Sequence, residues 1–179
     1  MFNFYLCLES VSLGKSDNRE KWVRKMQLTD SKGSVNDVKF APRHQGLKLA
    51  TGSADGFVRI YEATDVFALN YWPLQDTIIA ENVSPGVEYD THNGVTCLSW
   101  SECPFEPPKL VVGGNSGRAI VWSYNSGKWV EEVRLEGHSG PLYDISWAPV
   151  MGRSFHLIAS ADRTSSFRVK CHHYYYYLF

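Results

Sequence analysis

The chain has 179 residues, of which 44% are hydrophobic and 21% charged, and its formal net charge is −1. This composition is typical of a globular protein of about one domain, and it excludes a disordered chain, a collagen and a coiled coil. The 18 basic and 19 acidic residues form no block of one sign. Because phosphate binding needs a basic stripe, we expect no direct nucleic-acid partner.

Neither membrane insertion nor secretion is predicted from the start of the chain. The apolar stretch at residues 1–8 falls well short of the roughly 18 residues that a membrane helix needs. It also lacks a basic start and a small-residue cleavage site. The four cysteines include no CxxC pair, which favours a reducing compartment, the cytosol or the nucleus; they are Cys7, Cys97, Cys103 and Cys171.

Short alternating segments run through the chain between frequent glycine and proline breaks. Alternation places Val38 and Phe40 on one face of a strand, which Pro42 ends because proline cannot donate to a sheet ladder. Segments 58–61 and 119–122 are β-branched and aromatic, as strands prefer. No stretch of ten or more residues has a helical period, so an all-β fold is predicted.

Three segments repeat one order of features: a glycine turn, an alternating strand, a second strand, a tight turn and a third strand. The copies begin at Gly33, Gly94 and Gly140. The first interval exceeds the about 40–45 residues of a WD40 blade, so residues 65–89 are interpreted as an insertion. Large aromatic side chains remove much apolar area from water when buried, which predicts core anchors at Phe40, Tyr61, Trp100, Trp122 and Trp147.

Two polar positions recur in WD40 blades, a histidine before the first strand and an aspartate in the turn between the second and third strands, joined through a hydroxyl. The histidine position holds His92 and His138 in the later copies and Ser31 in the first. The turn position holds, in order, Asp55, Ser116 and Asp162. A buried aspartate must be satisfied by hydrogen bonds. Because no copy has the complete set, we expect apolar packing to hold the blades more than polar networks do.

The chain resembles a known family at these repeats. The first copy reads SVNDVKFAP, GLKLAT, SADG and VRIYEA, and the insertion adds Asp65-Val66, Leu69, Trp72 and Leu74. The third copy adds Asp144, Ala148-Pro149 and the segment GRSFH at 152–156. On these residues, about 20 to 160, the chain resembles the SEH-one family of WD40-repeat nucleoporins, relatives of the Sec-thirteen coat proteins.

The resemblance implies a non-enzymatic scaffold without a cofactor. Family members form an open six-bladed β-propeller that is completed by a strand-rich segment of an α-solenoid nucleoporin. They lie in the Y-shaped coat of the nuclear pore complex at the nuclear envelope and support transport of mRNA and protein. The alternative is a Sec-thirteen-like subunit of a vesicle coat, or of a nutrient-signalling complex on the cytoplasmic face of the vacuole or lysosome.

Compared with this family, the chain is expected to be an incomplete propeller. The family has two further blades ahead of the first repeat and a sixth after the third, so we interpret the chain as partial. The repeat limits predict outer strands of a preceding blade at 1–28, a first repeat with its insertion at 29–90, a second repeat at 91–136, a divergent third repeat at 137–170 and a frayed tail at 171–179.

Two groups of residues have the types needed for a metal site or for acid–base catalysis, but we expect neither function. Cys171, His172 and His173 could ligate a metal, but adjacent histidines in a strand point to opposite faces, and no second ligand pair has finger spacing. His138 and Asp162 could serve acid–base catalysis, but no nucleophile is specified beside them. The four tyrosines at 174–177 could form a partner patch, although exposed apolar surface prone to aggregation is the preferred interpretation.

Overall fold

A computed structural model of the protein describes residues 4–9, 22–80, 94–150, 155–164 and 167–173. These residues form thirteen β-strands and one 3-10 helix, Arg43–Gln45, and contain no α-helix. All strand pairs are antiparallel and join neighbours in the sequence, as short turns require. In the part of the chain described, no helix is long and apolar enough to cross a lipid bilayer.

The strands form four sheets in chain order. The preceding sheet consists of β1 (Phe4–Glu9) and β2 (Trp22–Leu28). The first blade consists of β3 (Val35–Phe40), β4 (Lys48–Ser53), β5 (Phe57–Glu62) and β6 (Leu74–Ile79). The second blade consists of β7 (Val95–Trp100), β8 (Lys109–Gly114), β9 (Ala119–Asn125) and β10 (Lys128–Leu135). The third blade consists of β11 (Leu142–Trp147), β12 (Phe155–Asp162) and β13 (Phe167–His173).

The first strand of each blade carries a bulge at the same place. The register with the second strand shifts just after Val35 in the first blade, after Val95 in the second and after Leu142 in the third. A bulge inserts one extra residue into one strand and increases the local twist. The internal repeat therefore extends to a backbone irregularity.

The first and second blades have a fourth strand, which the three-strand repeat read from the sequence lacks. Strand β6 lies inside the predicted insertion and pairs with β5. Strand β10 pairs with β9 in the second blade. Residues 64–73 form the excursion that leads into β6, and Trp72 is buried there. The rest of the insertion, from residue 81 onward, lies outside the described residues.

Apolar side chains fill the spaces between successive blades. The first core cluster joins the first and second blades: Ala50, Val58, Ile60, Ile78, Ala80, Val95, Leu98, Trp100, Leu110 and Val112. The second joins the second and third blades: Cys97, Val111, Ala119, Val121, Leu142, Ile145, Trp147 and Ile158. The third covers the other face of the first blade with Leu28, Leu49, Tyr61 and Trp72. Face-to-face packing of sheets thus supplies most of the core.

One predicted core aromatic is wrong. Phe40 is 48% exposed and touches only the edge of the core, with its ring centroid 6.2 Å from that of Trp72. At the equivalent strand ends, the indole N–H groups of Trp100 and Trp147 donate to the Lys39 carbonyl and to His156. Phenylalanine has no such donor to anchor its ring, which is the physical difference between the positions.

The other predicted aromatics lie in or against the core. Tyr61, Trp100 and Trp147 are buried. Trp122 is half-buried and packs against the first core cluster. Burial of these large side chains is consistent with an anchoring role, and it distributes them over all three core clusters.

Strand β13 extends beyond the predicted end of the third repeat. The sequence placed residues 171–179 in a frayed tail, but β13 pairs with β12 as far as His173, which lies opposite Phe155. Three residues assigned to the tail therefore belong to the sheet, because antiparallel pairing continues along the full length of β12. The four tyrosines at 174–177 lie outside the described residues.

Candidate functional site

The buried turn acid of the first blade is held by an arginine. Asp55 lies in the β4–β5 turn, and Arg59 follows four residues later on β5. Arg59 Nη2 donates to Asp55 Oδ2 at 2.8 Å and Nη1 donates to Oδ1 at 3.3 Å. The backbone amides of Lys32 and Phe57 donate to the same carboxylate at 2.9 and 3.1 Å. Ser31 Oγ accepts a further bond from Arg59 Nη1 at 3.3 Å.

Asp55 remains ionised in this environment. Burial alone would raise the pKa of Asp55, but the hydrogen bond from Arg59, the amide of Lys32, the charge of Arg59 and the amide of Phe57 lower it overall. The two side chains are 0% and 7% exposed, so they form a buried ion pair. The bidentate geometry is the arrangement in which arginine binds carboxylates most strongly.

The sequence pattern does not predict Arg59 as the partner of Asp55, because in WD40 blades the turn aspartate is linked to a histidine before the first strand. Ser31 does occupy that position, as predicted, and its hydroxyl accepts a hydrogen bond from the guanidinium of Arg59. The missed signal is an arginine that interrupts the buried run of β5, between Val58 and Ile60. A charge at a core position and four residues from a turn aspartate indicates an ion pair.

The turn acid of the third blade is held by a histidine. His138 Nδ1 lies 2.9 Å from Asp162 Oδ2, and His138 Nε2 lies 2.7 Å from Ser160 Oγ. Thr164 donates to Asp162 Oδ1 from both its amide and its hydroxyl, at 2.9 Å each. The ring thus contacts the carboxylate directly, and the Ser160 hydroxyl lies at the other ring nitrogen. The predicted order, with a hydroxyl between histidine and aspartate, is wrong.

The second blade has a different arrangement at its turn. Ser116 is exposed, and its Oγ accepts the Arg118 amide at 3.3 Å. The Asn115 amide donates to the Gly94 carbonyl at 3.0 Å, which closes the turn against the start of the blade. His92, the predicted histidine of this copy, lies outside the described residues. The structure therefore brings His138 together with Asp162 and Asp55 together with Arg59, each pair within its own blade.

Side chains also bond the first strands of neighbouring blades. Asp37 Oδ2 accepts the Leu98 amide at 2.8 Å, and Asn36 Nδ2 donates to the Val95 carbonyl at 2.7 Å. In the next junction Ser99 Oγ accepts the Trp147 amide at 2.9 Å. These bonds connect the edge strand of one sheet to the edge strand of the next.

A charged cluster that includes the buried Lys109 and His156 joins the second and third blades. Lys109 Nζ lies 3.0 Å from Glu106 Oε2 and 3.0 Å from Glu132 Oε1. Glu106 also contacts His156 Nε2, at 3.1 and 3.2 Å. Burial would raise the pKa of Glu106, but bonds and charges from Lys109 and His156 lower it overall.

The histidines, cysteines and carboxylates of the described residues bear on metal and thiol chemistry. Within the described part of the chain, no group of three or more His, Cys, Asp or Glu side chains is placed to hold a metal ion. Cys97 and Cys103 are buried free thiols. Burial, with the nearby charges of Asp144 and Asp37, raises the pKa of Cys97 to about 11, so its thiolate is scarce at neutral pH.

Comparisons with known proteins agree with the repeat. The family model "WD domain, G-beta repeat" matches residues 22–62, from β2 to the end of β5. Nucleoporin SEH1 of Danio rerio is 38% identical over 165 residues, which is 84% of this chain and 42% of that protein. Nucleoporin seh1 of Drosophila melanogaster is 37% identical over 163 residues, 87% of this chain and 43% of that protein.

The human relative gives the same result. Nucleoporin SEH1 of Homo sapiens is 38% identical over 159 residues, which is 83% of this chain and 41% of that protein. The predicted class, an all-β WD40 propeller with about three blades and strands of a preceding one, is confirmed. The predicted resemblance to WD40-repeat nucleoporins is also confirmed. The chain spans about two fifths of the length of the curated relatives that it matches.

Proposed function

From its similarity to the SEH1 nucleoporins along more than four fifths of its length, we propose that this protein is a subunit of the nuclear pore complex. Its role there is that of a non-enzymatic scaffold in the Y-shaped coat at the nuclear envelope. It supports transport of mRNA and protein through protein–protein contacts. The observation that carries the proposal is the identity of 37–39% shared with nucleoporins of several animals.

The use of the polar residues supports a scaffold rather than an enzyme. His138 and Asp162, the one histidine–carboxylate pair that suggested acid–base chemistry, are nearly inaccessible at 3% and 0% exposure. Ser160 and Thr164 also form hydrogen bonds with this pair. A catalytic group must reach a substrate in a cleft. These four side chains instead fasten the turn between β12 and β13.

The partner in this proposal is an α-solenoid nucleoporin that contributes strands to the propeller, with other pore-coat subunits around it. Sheet edges support this mode of binding, because an edge strand offers N–H and C=O groups to an added strand. Among the described residues, β13 has a partner strand on one side only, whereas its counterparts β5 and β9 are each followed by a fourth strand.

Localisation and purification of a tagged chain test the proposal. In cells, we expect a rim of fluorescence at the nuclear envelope and recovery of pore-coat subunits with the chain. The variant Arg134→Ala removes an ion pair with Glu131 in which both side chains are about one third exposed, and it should behave as the native chain does. The variant Arg59→Ala breaks a buried pair and should abolish both signals. Recovery of vesicle-coat or vacuolar subunits instead would favour the alternative assembly and overturn the pore assignment.

Co-expression tests the solenoid partner separately. We expect the chain alone to be poorly soluble or oligomeric, and an α-solenoid nucleoporin to render it soluble in a stoichiometric complex. This mode of binding would be contradicted by a chain that is monomeric and soluble by itself and does not bind the solenoid. The localisation experiment would still test the pore assignment independently.

A further inference from the structure

The third blade turns one face away from the second blade, and large apolar side chains on this outer face are exposed. Phe167 is 67% exposed and Val169 is 57% exposed. On the opposite face of β12, Ile158 packs against the second blade. The outer face consists of two cross-strand rows, each with one residue from β11, β12 and β13: Asp144, Ala161 and Phe167, and Ser146, Ala159 and Val169.

The same two rows are covered in the other blades. Each row is identified by its distance from the bulge, since the first row begins at the first residue paired after the register shift. The residues that match Phe167 and Val169 are Val58 and Ile60 in the first blade and Ala119 and Val121 in the second. These four side chains are at most 5% exposed, because the first strand of the next blade packs against them.

Asp144 also repeats an acceptor that joins the first blade to the second. Its counterpart Asp37 accepts the amide of the adjacent Val38 at Oδ1, at 2.8 Å, and the Leu98 amide of the next blade at Oδ2, at 2.8 Å. Asp144 Oδ1 accepts the adjacent Ile145 amide in the same way, at 2.9 Å. Asp144 Oδ2 therefore corresponds to the oxygen that binds the first strand of a following blade.

Ser146 repeats the acceptor of the other junction. Its counterpart Ser99 accepts the Trp147 amide of the third blade at Oγ, at 2.9 Å. Both Asp144 and Ser146 are exposed. The outer face thus combines an apolar surface with the two acceptors that bind an incoming strand elsewhere in the chain.

We propose that the outer face is a docking site for a β-sheet blade of another polypeptide, whose first strand donates a backbone amide to Asp144 and covers Phe167 and Val169. The face continues the series of two junctions within the chain, and in each of them a first strand lies at this place. The identity of the partner rests on the proposed function: the strand-rich segment of the α-solenoid nucleoporin supplies the blade.

The incoming strand must differ from the first strands of this chain. A Cβ added at Gly52 would lie 2.5 Å from the Val95 side chain, and one added at Gly113 would lie 3.1 Å from the Leu142 side chain. The matching residue of the third blade is Ala161, whose methyl group fills this space. Because packed interiors leave little room for an extra methyl group, the partner strand carries glycine, alanine or serine where β7 and β11 begin with valine and leucine.

Co-expression of the full chain with the α-solenoid nucleoporin tests the apolar part of the site. Phe167→Asp places a charge in the proposed junction and should reduce recovery of the solenoid at least about tenfold. Phe105→Asp is the matched control, since Phe105 is 91% exposed in the β7–β8 connection, and it should recover as much solenoid as the native chain. Native recovery with Phe167→Asp overturns the docking site but not the solenoid partner. A native chain that recovers no solenoid overturns both.

Two smaller substitutions test the details of the incoming strand. Asp144→Asn leaves one acceptor oxygen for two amides, so solenoid recovery should fall about tenfold, whereas Glu102→Gln, at an exposed acid after β7, should change nothing. Ala161→Gly should bind as the native chain does, but Ala161→Val should bind several-fold less because it overfills the junction. Native recovery with Asp144→Asn or with Ala161→Val contradicts the proposed contacts.

Photocrosslinking locates the partner without altering the charge of the face. A benzophenone analogue of phenylalanine at position 167 should crosslink to the strand-rich segment of the solenoid, and the same analogue at position 105 should not. Crosslinks to the solenoid from position 105 alone would place the partner elsewhere. Crosslinks from position 167 to a second copy of this chain, persisting when the solenoid is present, would show that a second copy occupies the face and would overturn the proposal.

Discussion

The first and third blades bury an aspartate in the equivalent turn but satisfy it in different ways. Asp55 is paired with a guanidinium, which is always charged, through two parallel bonds. Asp162 is paired with one nitrogen of the His138 ring, and the other ring nitrogen is hydrogen-bonded to the Ser160 hydroxyl. The requirement that a buried carboxylate be satisfied is therefore common to both blades, whereas the residue that satisfies it is not. A repeat can lose its consensus residue and keep its interaction.

The largest loss of stability is expected when the arginine that pairs with Asp55 is removed. Arg59→Ala leaves the Asp55 carboxylate buried without its cation, which should lower the free energy of unfolding by about 3–5 kcal/mol. Urea unfolding measures the change. Arg134→Ala, which removes a pair about one third exposed, is the matched control and should cost less than about 1 kcal/mol. Similar losses in both variants would contradict the distinction between buried and exposed pairs.

A smaller loss is expected on the histidine side. His138→Ala removes the hydrogen bonds to Asp162 and Ser160, but the Thr164 amide and hydroxyl still donate to Asp162. We therefore expect a loss of about 2 kcal/mol in the same urea assay. A loss as large as that of Arg59→Ala would mean that the remaining donors do not compensate, and the contrast between the blades would disappear.

Unfolding at low pH provides a further test of the Asp55 ion pair. The pKa of Asp55 is lowered in the folded chain, so its stabilising contribution is complete above the unfolded value of about 3.9 and is lost as the pH falls through the folded value. Below about pH 4, the free energy of unfolding should therefore fall more steeply for the native chain than for Asp55→Asn. Parallel acid profiles, measured by urea unfolding at each pH, would show that Asp55 does not titrate with folding.

The smallest expected effects concern the hydroxyls. Ser160 Oγ lies 2.7 Å from the histidine ring, whereas Ser31 Oγ lies 3.3 Å from the guanidinium. Ser160→Ala should cost about 1 kcal/mol and Ser31→Ala about 0.5 kcal/mol, because the longer bond is weaker. Calorimetric melting temperatures can resolve the difference, and the reverse order would show that the serine next to the arginine is the more important one.

Much of the fold was predictable because it rests on local sequence patterns. The strands with buried faces, such as β4 and β8, contain runs of small and apolar residues bounded by turns, which sequence patterns identify. The outer strands β6 and β10 are mostly exposed, and their mixed polar pattern gives little signal. They form because they pair with β5 and β9, so their existence depends on neighbours rather than on their own composition.

The candidate site was predictable only in part, for a similar reason. Asp55 and Asp162 were identified because the turn pattern fixes their place in each repeat. Arg59 was missed because the first blade satisfies its buried aspartate from a different position in the repeat than the third blade does. A sequence motif specifies a residue type at a fixed position, so it does not identify a partner elsewhere in the blade. Phe40 was assigned to the core on its place in the repeat, but its ring is half-exposed because it lacks the indole donor that anchors Trp100 and Trp147.

The shared bulge near the start of each first strand has a consequence for substitution. Because β3–β4, β7–β8 and β11–β12 carry the same register shift, residues at matching positions of these hairpins meet the same local backbone. Gly52 and Gly113 are such residues, since each lies opposite the first paired residue after the shift, and an added Cβ would lie 2.5 Å from a side-chain atom of Val95 or of Cys97. The matching residue of the third blade is Ala161. A methyl group is therefore accommodated at this position in the third blade, whereas in the first two blades it would displace a neighbouring side chain.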